Sequence, residues 1–313
     1  MAHHVLPASP ETCFWGFFAA DTAPVLHVAS GDEVTVEALP AGGLDDLHPD
    51  TTRCLPEHRA TLEGLEAAKG PGVHIMNGPV HVDGAAPGDV LQVDILESWP
   101  RQDWGFAKII PLLGTLPDEF GRFGRWFVDI DRDAGEAVLP WHTRLPLAPF
   151  FGVLAVAPPA AWGAIDTAQP RAHGGNMDNK ELRPGATLYL PVFQEGALFS
   201  AGDGHGLQGD GEVCVTGLET ALSGRFRLTV RKDLAADLPF AETADHLIAM
   251  GFDADLDDAA ETAVRRMIDL ICERTERTRE EAYVLASLAA DFRVTQLVDG
   301  EKGIHGLLAK SAL

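Results

Sequence analysis

Cysteine is scarce: four occur in 313 residues, at Cys13, Cys54, Cys214 and Cys272, and no two form a C-x-x-C pair. A disulfide framework and a thiolate zinc site therefore lose their basis, and reduced thiols in a cytoplasmic setting are expected. Positive charge is scarce as well, with 24 Lys+Arg against 47 Asp+Glu and a formal net charge of −23. Neutralising a phosphate backbone requires a basic face, so no nucleic-acid partner is expected. The longest uncharged run, from Leu145 to Ile165, is broken by Pro146, Pro149, Pro158 and Pro159. A spanning helix needs about 20 apolar residues that can stay helical, so no membrane segment is expected. Met1-Ala2-His3-His4 has neither the basic start nor the apolar centre of a secretory signal. The G-x-S-x-G elbow, the P-loop and H-E-x-x-H are all missing, which removes support for serine-elbow hydrolysis and for nucleotide chemistry.

What is present is a globular composition, 46% hydrophobic and 23% charged, in a chain long enough for a substantial core or for two or three modules. The segments 32–39, 89–96, 187–193 and 212–218 start at or close behind a glycine or a Pro-Gly pair and alternate apolar with polar residues. A period of two is that of strands with one buried face. With 32 glycines and 21 prolines to turn the chain, residues 1–234 read as a mainly β core of sandwich or barrel type, with 145–165 as a division between two β subdomains. Between Lys232 and Arg265 every charged residue is acidic, which marks a boundary before a small α/β module at 235–313. There Ala260, Val264, Met267, Ile268 and Ile271 recur at helical spacing, and Thr278 to Glu281 has the form of a capping box opening a second helix with Ala282, Leu285, Leu288, Ala289 and Phe292 on one face. Residues 292–298 then alternate as a strand. A structural role or a subunit contact is expected of this module.

Polar function is densest in Gly202-Asp203-Gly204-His205-Gly206-Leu207-Gln208-Gly209-Asp210-Gly211-Glu212. A carboxylate and a histidine two residues apart share one side of an extended segment, as a metal chelate requires; a glycine-rich hairpin with solvated acids is the ordinary alternative. About 25 residues upstream, His173-Gly174-Gly175-Asn176-Met177-Asp178-Asn179 has the same character, with simple Asx turns as its alternative. The two segments are read as loops meeting at one end of a sheet. In Gly78-Pro79-Val80-His81-Val82-Asp83-Gly84-Ala85-Ala86-Pro87-Gly88-Asp89, a strand–turn–strand reading competes with use of His81 and Asp83. Trp99, Trp104, Phe106, Trp126, Trp141 and Phe150 read first as core aromatics and second as pocket walls.

Taken in order, these segments and the helix opening Glu280-Glu281-Ala282-Tyr283 resemble the acetamidase/formamidase family from about Pro24 onward. Two stretches depart from that pattern: His81 stands where Tyr or Phe is expected, and 113–142 is less typical. The resemblance implies a mainly β fold with a small α/β end. It also implies hydrolysis of short amides to a carboxylate and ammonia, commonly with a divalent metal such as zinc. On that basis Asp178, Asp203 and His205 are the expected metal ligands, with His173 as a fourth candidate; zinc suits such a nitrogen and oxygen set, and calcium is the alternative ion. Glu212 is the expected general base, with Asp210 in reserve and Asn176 at the oxyanion. Gly175, Gln208 and His81 are expected substrate contacts. The expected partners are a small neutral amide, since a chain at −23 repels anions, and further copies of the chain in a homo-oligomer, a dimer or higher. A non-catalytic β-sandwich holding calcium and a small ligand is the competing reading, and His205 argues against it, because imidazole is a poor donor for so hard an ion.

Overall fold

Alternation at 32–37 and 90–100 builds two strands of a nine-stranded sheet. The computed structural model describes residues 1–313, and its largest sheet runs in the order His3–Leu6, Asp32–Glu37, Leu222–Arg231, Val90–Pro100, Thr187–Pro191, Phe240–Glu242, His246–Asp253, Lys302–Ala309 and Ala290–Gln296. Hydrogen bonding thus continues across residue 234, so residues 1–234 and 235–313 contribute to one sheet. A second, six-stranded sheet joins Gly174–Asn176, Phe150–Ala155, Phe199–His205, Ile75–Val82 and Cys13–Trp15, with Leu26–Val28 added in parallel on Ile75–Val82. Inward residues of the two sheets, among them Val34, Val93, Phe226, Val80, Phe151 and Phe199, merge in a single core. The uncharged stretch 145–165 supplies Phe150–Ala155, a strand buried along its whole length in that second sheet. No helix is long and apolar enough to cross a membrane.

The chain is therefore mainly β with a C-terminal helix pair packed on strands, as its periodicity predicts. Helix α1 (Pro56–Leu65), which opens on Pro at its first position, was not expected in the β region; four residues, His58, Thr61, Leu62 and Leu65, bury its inner face. Helices α2 (Leu256–Arg274) and α3 (Arg279–Ala289) lie close to the expected positions. Met267, Leu270 and Ile271 of α2 pack against Leu247, Ala249 and Leu308. Only Ala282 and Ala286 of α3 are buried, while Leu288, expected on the inner face, is 80% exposed because α3 meets the sheet along a narrow stripe. The capping box is formed: Thr278 Oγ1 accepts from the Glu281 amide at 3.2 Å and Glu281 Oε2 accepts from the Thr278 amide at 2.9 Å. Thr278→Ala is expected to cost about 1 kcal/mol of stability, read as a lower denaturant midpoint with an unchanged slope.

Two local expectations change. Residues 212–218 form a turn rather than a strand, with left-handed backbone at Glu212 and Val215, φ +44° and +81°, redirecting the chain. Conversely, the expected loop at 202–205 is the end of the strand Phe199–His205. A four-stranded sheet joins Arg144–Pro146, Glu136–Val138, Gly124–Asp131 and Trp104–Ile109, and its two middle strands fall within the atypical stretch 113–142.

Candidate active site

Alternate glycines shape the strand that carries Asp203 and His205. A Cβ added at Gly202 would lie 2.4 Å from the Ile75 carbonyl oxygen, and one at Gly204 would lie 2.5 Å from that of Thr220. Neighbouring backbone can therefore press on the strand at the glycines, while the two functional side chains, two residues apart, share the other direction. Asp203, Asp178 and Glu212 all have left-handed backbone, with φ of +59°, +47° and +44°. Each such residue costs of order 1 kcal/mol or more, and residues held this way cluster at functional sites.

The imidazole of His205 is the hub, buried edge-on against Phe150. Its Nε2 lies 3.1 Å from Glu219 Oε1 and 3.3 Å from Asp203 Oδ2, and its Nδ1 lies 3.7 Å from Asp178 Oδ1. The ligand atoms of Asp178, His205 and Glu212 all fall within 4.8 Å of one another, as do those of Asp203, His205 and Glu219. Asp299 arrives from the turn between the last two strands. The Gly211 amide donates to the Thr295 carbonyl at 2.9 Å and the Leu297 amide to the Gly211 carbonyl at 3.1 Å, which ties that turn to the Glu212 loop. His74, Asn176, Asp203, His205, Glu212, Glu219 and Asp299 line a cavity of about 310 Å³.

Burial and crowding set the charge states. Burial, then the charge of Asp299, pushes the Asp178 carboxyl well above its ordinary range; burial, then Asp178, does the same to Glu212. Asp299 is raised by burial and by Glu212, and Glu219 is pushed by burial to about 7 against the pull of His205. For Asp203 burial acts upward, but the charges of His205 and His74 hold it below the usual carboxylate range. For His205 burial acts downward, but Glu219 and Asp203 hold it well above. Five buried carboxyls around one imidazole cannot all ionise without more positive charge. The two sides of the ring differ: Nε2 is engaged by Asp203 and Glu219, whereas Nδ1, both Asp178 oxygens and Glu212 Oε2 are buried without a hydrogen-bond partner. Buried polar atoms left free in this way fit a cation, so these clusters can hold a metal ion.

Known proteins carry the same architecture. A formamidase of Methylophilus methylotrophus is 31% identical over 248 residues, 63% of this chain and 58% of that protein, so the matched stretch spans little more than half of that relative. The crystal structure of a predicted acetamidase/formamidase from Thermoanaerobacter tengcongensis superposes with a TM-score of 0.86 at 30% identity, covering 99% of this chain and 97% of that one. An acetamidase structure from Bacillus halodurans gives 0.83 at 31% identity, with 97% of each chain covered. The Acetamidase/Formamidase family model matches residues 18–163 and 159–305. The chain belongs to the acetamidase/formamidase family.

Against this acetamidase/formamidase background the expected residues separate into groups. Asp178, Asp203, His205 and Glu212 come together, but on two sides of one imidazole: Asp178 and Glu212 sit with His205 in one set, and Asp203 sits with His205 and Glu219 in the other. Asn176 lines the cavity; its Nδ2 donates one hydrogen bond to the Ala168 carbonyl at 3.2 Å, and its Oδ1 is buried without a partner. Gln208 Nε2 holds the Asp178 carbonyl at 2.9 Å. Gly175 stands beside the His173 ring, where a Cβ would lie 3.0 Å from Cε1. His173 belongs to neither set; it is buried between Phe18 and Trp162, and burial drives it down to about 3. Asp210 pairs with Lys180 at 3.0 Å, and His81 lines a different cavity with Glu195. Of the six aromatics, Phe150 packs edge-on against His205; Trp104 and Phe106 are core, while Trp99 and Trp141 are exposed.

Two members were missed. Glu219 lies in the otherwise apolar and neutral 213–224, and a lone acid there was the available signal. Asp299-Gly300 reads as a plain turn, and nothing local distinguishes it.

Proposed function

We propose that this chain hydrolyses a short, neutral linear amide of the formamide or acetamide kind to a carboxylate and ammonia. The observation that carries this reading is the buried convergence of Asp178, His205 and Glu212, with unpartnered ligand atoms, in a chain of this family. A divalent cation, with zinc suited to the mixed nitrogen and oxygen donors, would be held by Asp178, His205 Nδ1 and Glu212; when bound it supplies Lewis acidity and lowers the pKa of water towards about 7. Asp203 and Glu219 hold the Nε2 proton and fix the ring, the work of carboxylates behind a histidine ligand. This assignment moves Glu212 from base to ligand and Asp203 from ligand to support. Asp299, beside Asp178 and Glu212 with Oδ2 unpartnered, takes the proton of the attacking water and returns it to the departing nitrogen. The water oxygen bonds to the carbonyl carbon, the C–N bond breaks, and ammonia leaves. Asn176 Oδ1 accepts a hydrogen bond from the substrate NH2 and orients it.

A neutral substrate is favoured because Lys108, the one lysine or arginine lining the cavity, is paired with Asp46 at 3.2 Å and leaves no free cation for an anionic group. Four free thiols support a reducing, cytoplasmic setting, and exposed Leu112, Leu113, Leu116, Phe120 and Phe123 support a homo-oligomer. Ammonia release from formamide and acetamide, measured with metal content before and after chelation, tests the reading. Turnover that falls with the metal and returns with added zinc is expected; no ammonia from either amide in zinc-loaded protein would overturn it.

A further inference from the structure

His27, His81 and Asp83 lie outside the active-site cavity and play no part in the reaction above. Strands Leu26–Val28 and Ile75–Val82 pair in parallel, with His27 directly opposite His81. Their neighbours Val28, Val80 and Val82 point into the core, so the two imidazoles stand together on the outer face. The rings lie 4.5 Å apart, centre to centre, tilted by 32°. Asp83, two residues beyond His81, falls on the same side and brings Oδ1 to 3.4 Å from His81 Nδ1. The edge of a tetrahedron with zinc bonds near 2.0–2.1 Å is about 3.3 Å, so that spacing already suits two ligands of one ion. One ligand atom from each of the three residues lies within 4.8 Å of the others.

Two further observations point to a ligand. His81 Nδ1 is buried without a hydrogen-bond partner although an acid stands beside it. The ring is also held in place, because it is seated on Gly196, where a Cβ would lie 2.1 Å from it. Asp21 and Glu195 line the adjoining cavity of about 290 Å³ with His81, adding negative potential where a cation would sit. That cavity shares no lining residue with the active site.

We propose that His27, His81 and Asp83 form a second metal site for a borderline transition cation such as Zn2+, completed by water, which pins the parallel strand Leu26–Val28 to the second sheet. Two imidazoles select against calcium and magnesium. The test uses the full chain and Zn2+ alone, in equilibrium dialysis near neutral pH. The unaltered protein is expected to bind about one Zn2+ per chain more than His27→Ala. Asp83→Asn is expected to weaken binding of this equivalent, because one of three ligands is replaced by a neutral, poorer donor. Zn2+ should raise the melting temperature of the unaltered protein by more than that of His27→Ala, while amide turnover stays the same in all three proteins. Equal zinc stoichiometry and affinity in the unaltered protein and both variants would overturn the site, whatever the outcome for amide hydrolysis.

Discussion

Gly152→Ala is expected to lower kcat by about 100-fold or more in a protein that still folds. Gly152 lies on the strand Phe150–Ala155, between Phe151, which pairs with Gly204, and Val153, which pairs with Gly202. It faces the site where its missing Cβ leaves room: a Cβ there would lie 2.3 Å from Asp203 Oδ2 and 2.5 Å from Asp178 Oδ1. Both carboxylates are buried on left-handed backbone, so neither can retreat without moving its main chain. Displacing a positioned group by about 1 Å costs on the order of 100-fold in rate. One carboxylate belongs to the proposed ligand set and the other supports His205, so metal content should fall along with turnover. Near-normal kcat and metal content would mean that these two acids do not work where the structure places them.

Asp299→Asn and Glu212→Gln separate the proton carrier from the ligand. Asparagine keeps the shape of Asp299 but can neither accept nor return a proton, so turnover should fall by about 100- to 10,000-fold while metal content holds. Glu212→Gln should lower both metal content and turnover, because the amide is a poorer donor than the carboxylate grouped with Asp178 and His205. If Glu212→Gln instead kept its metal and lost turnover while Asp299→Asn stayed active, Glu212 would be the base and Asp299 a bystander. Metal analysis and ammonia release on the same preparations decide between these outcomes.

Much of the fold is legible from local pattern. The period of two at 32–37 and 90–95, the helical spacing through Ile271 and the Thr278 capping box each report a backbone preference that the finished structure keeps. The strand at Phe199–His205 was harder to read, since glycine at every second position in 202–206 looks like a loop. Gly202 and Gly204 instead meet close backbone at Ile75 and Thr220, a condition set by segments distant in the chain. The turn at 212–218 hides behind alternating apolar residues for a similar reason. Its shape follows from the site, where Glu212 must leave strand geometry to reach His205.

For the site, residue types made Asp203-x-His205 and the Asp178 segment candidates for chemistry, with a glycine-rich hairpin and Asx turns as the ordinary alternatives. Their division of labour was decided only in three dimensions. Which nitrogen of His205 each acid faces, that Asn176 offers an acceptor, and that Asp299 and Glu219 enter at all depend on pairings between segments far apart in sequence. The same holds for His81, which the strand pairing turns away from the site and sets against His27. Short-range preferences are written in the order of residues, whereas the distances that make a reacting centre come from packing one sheet on another, and no local pattern encodes them.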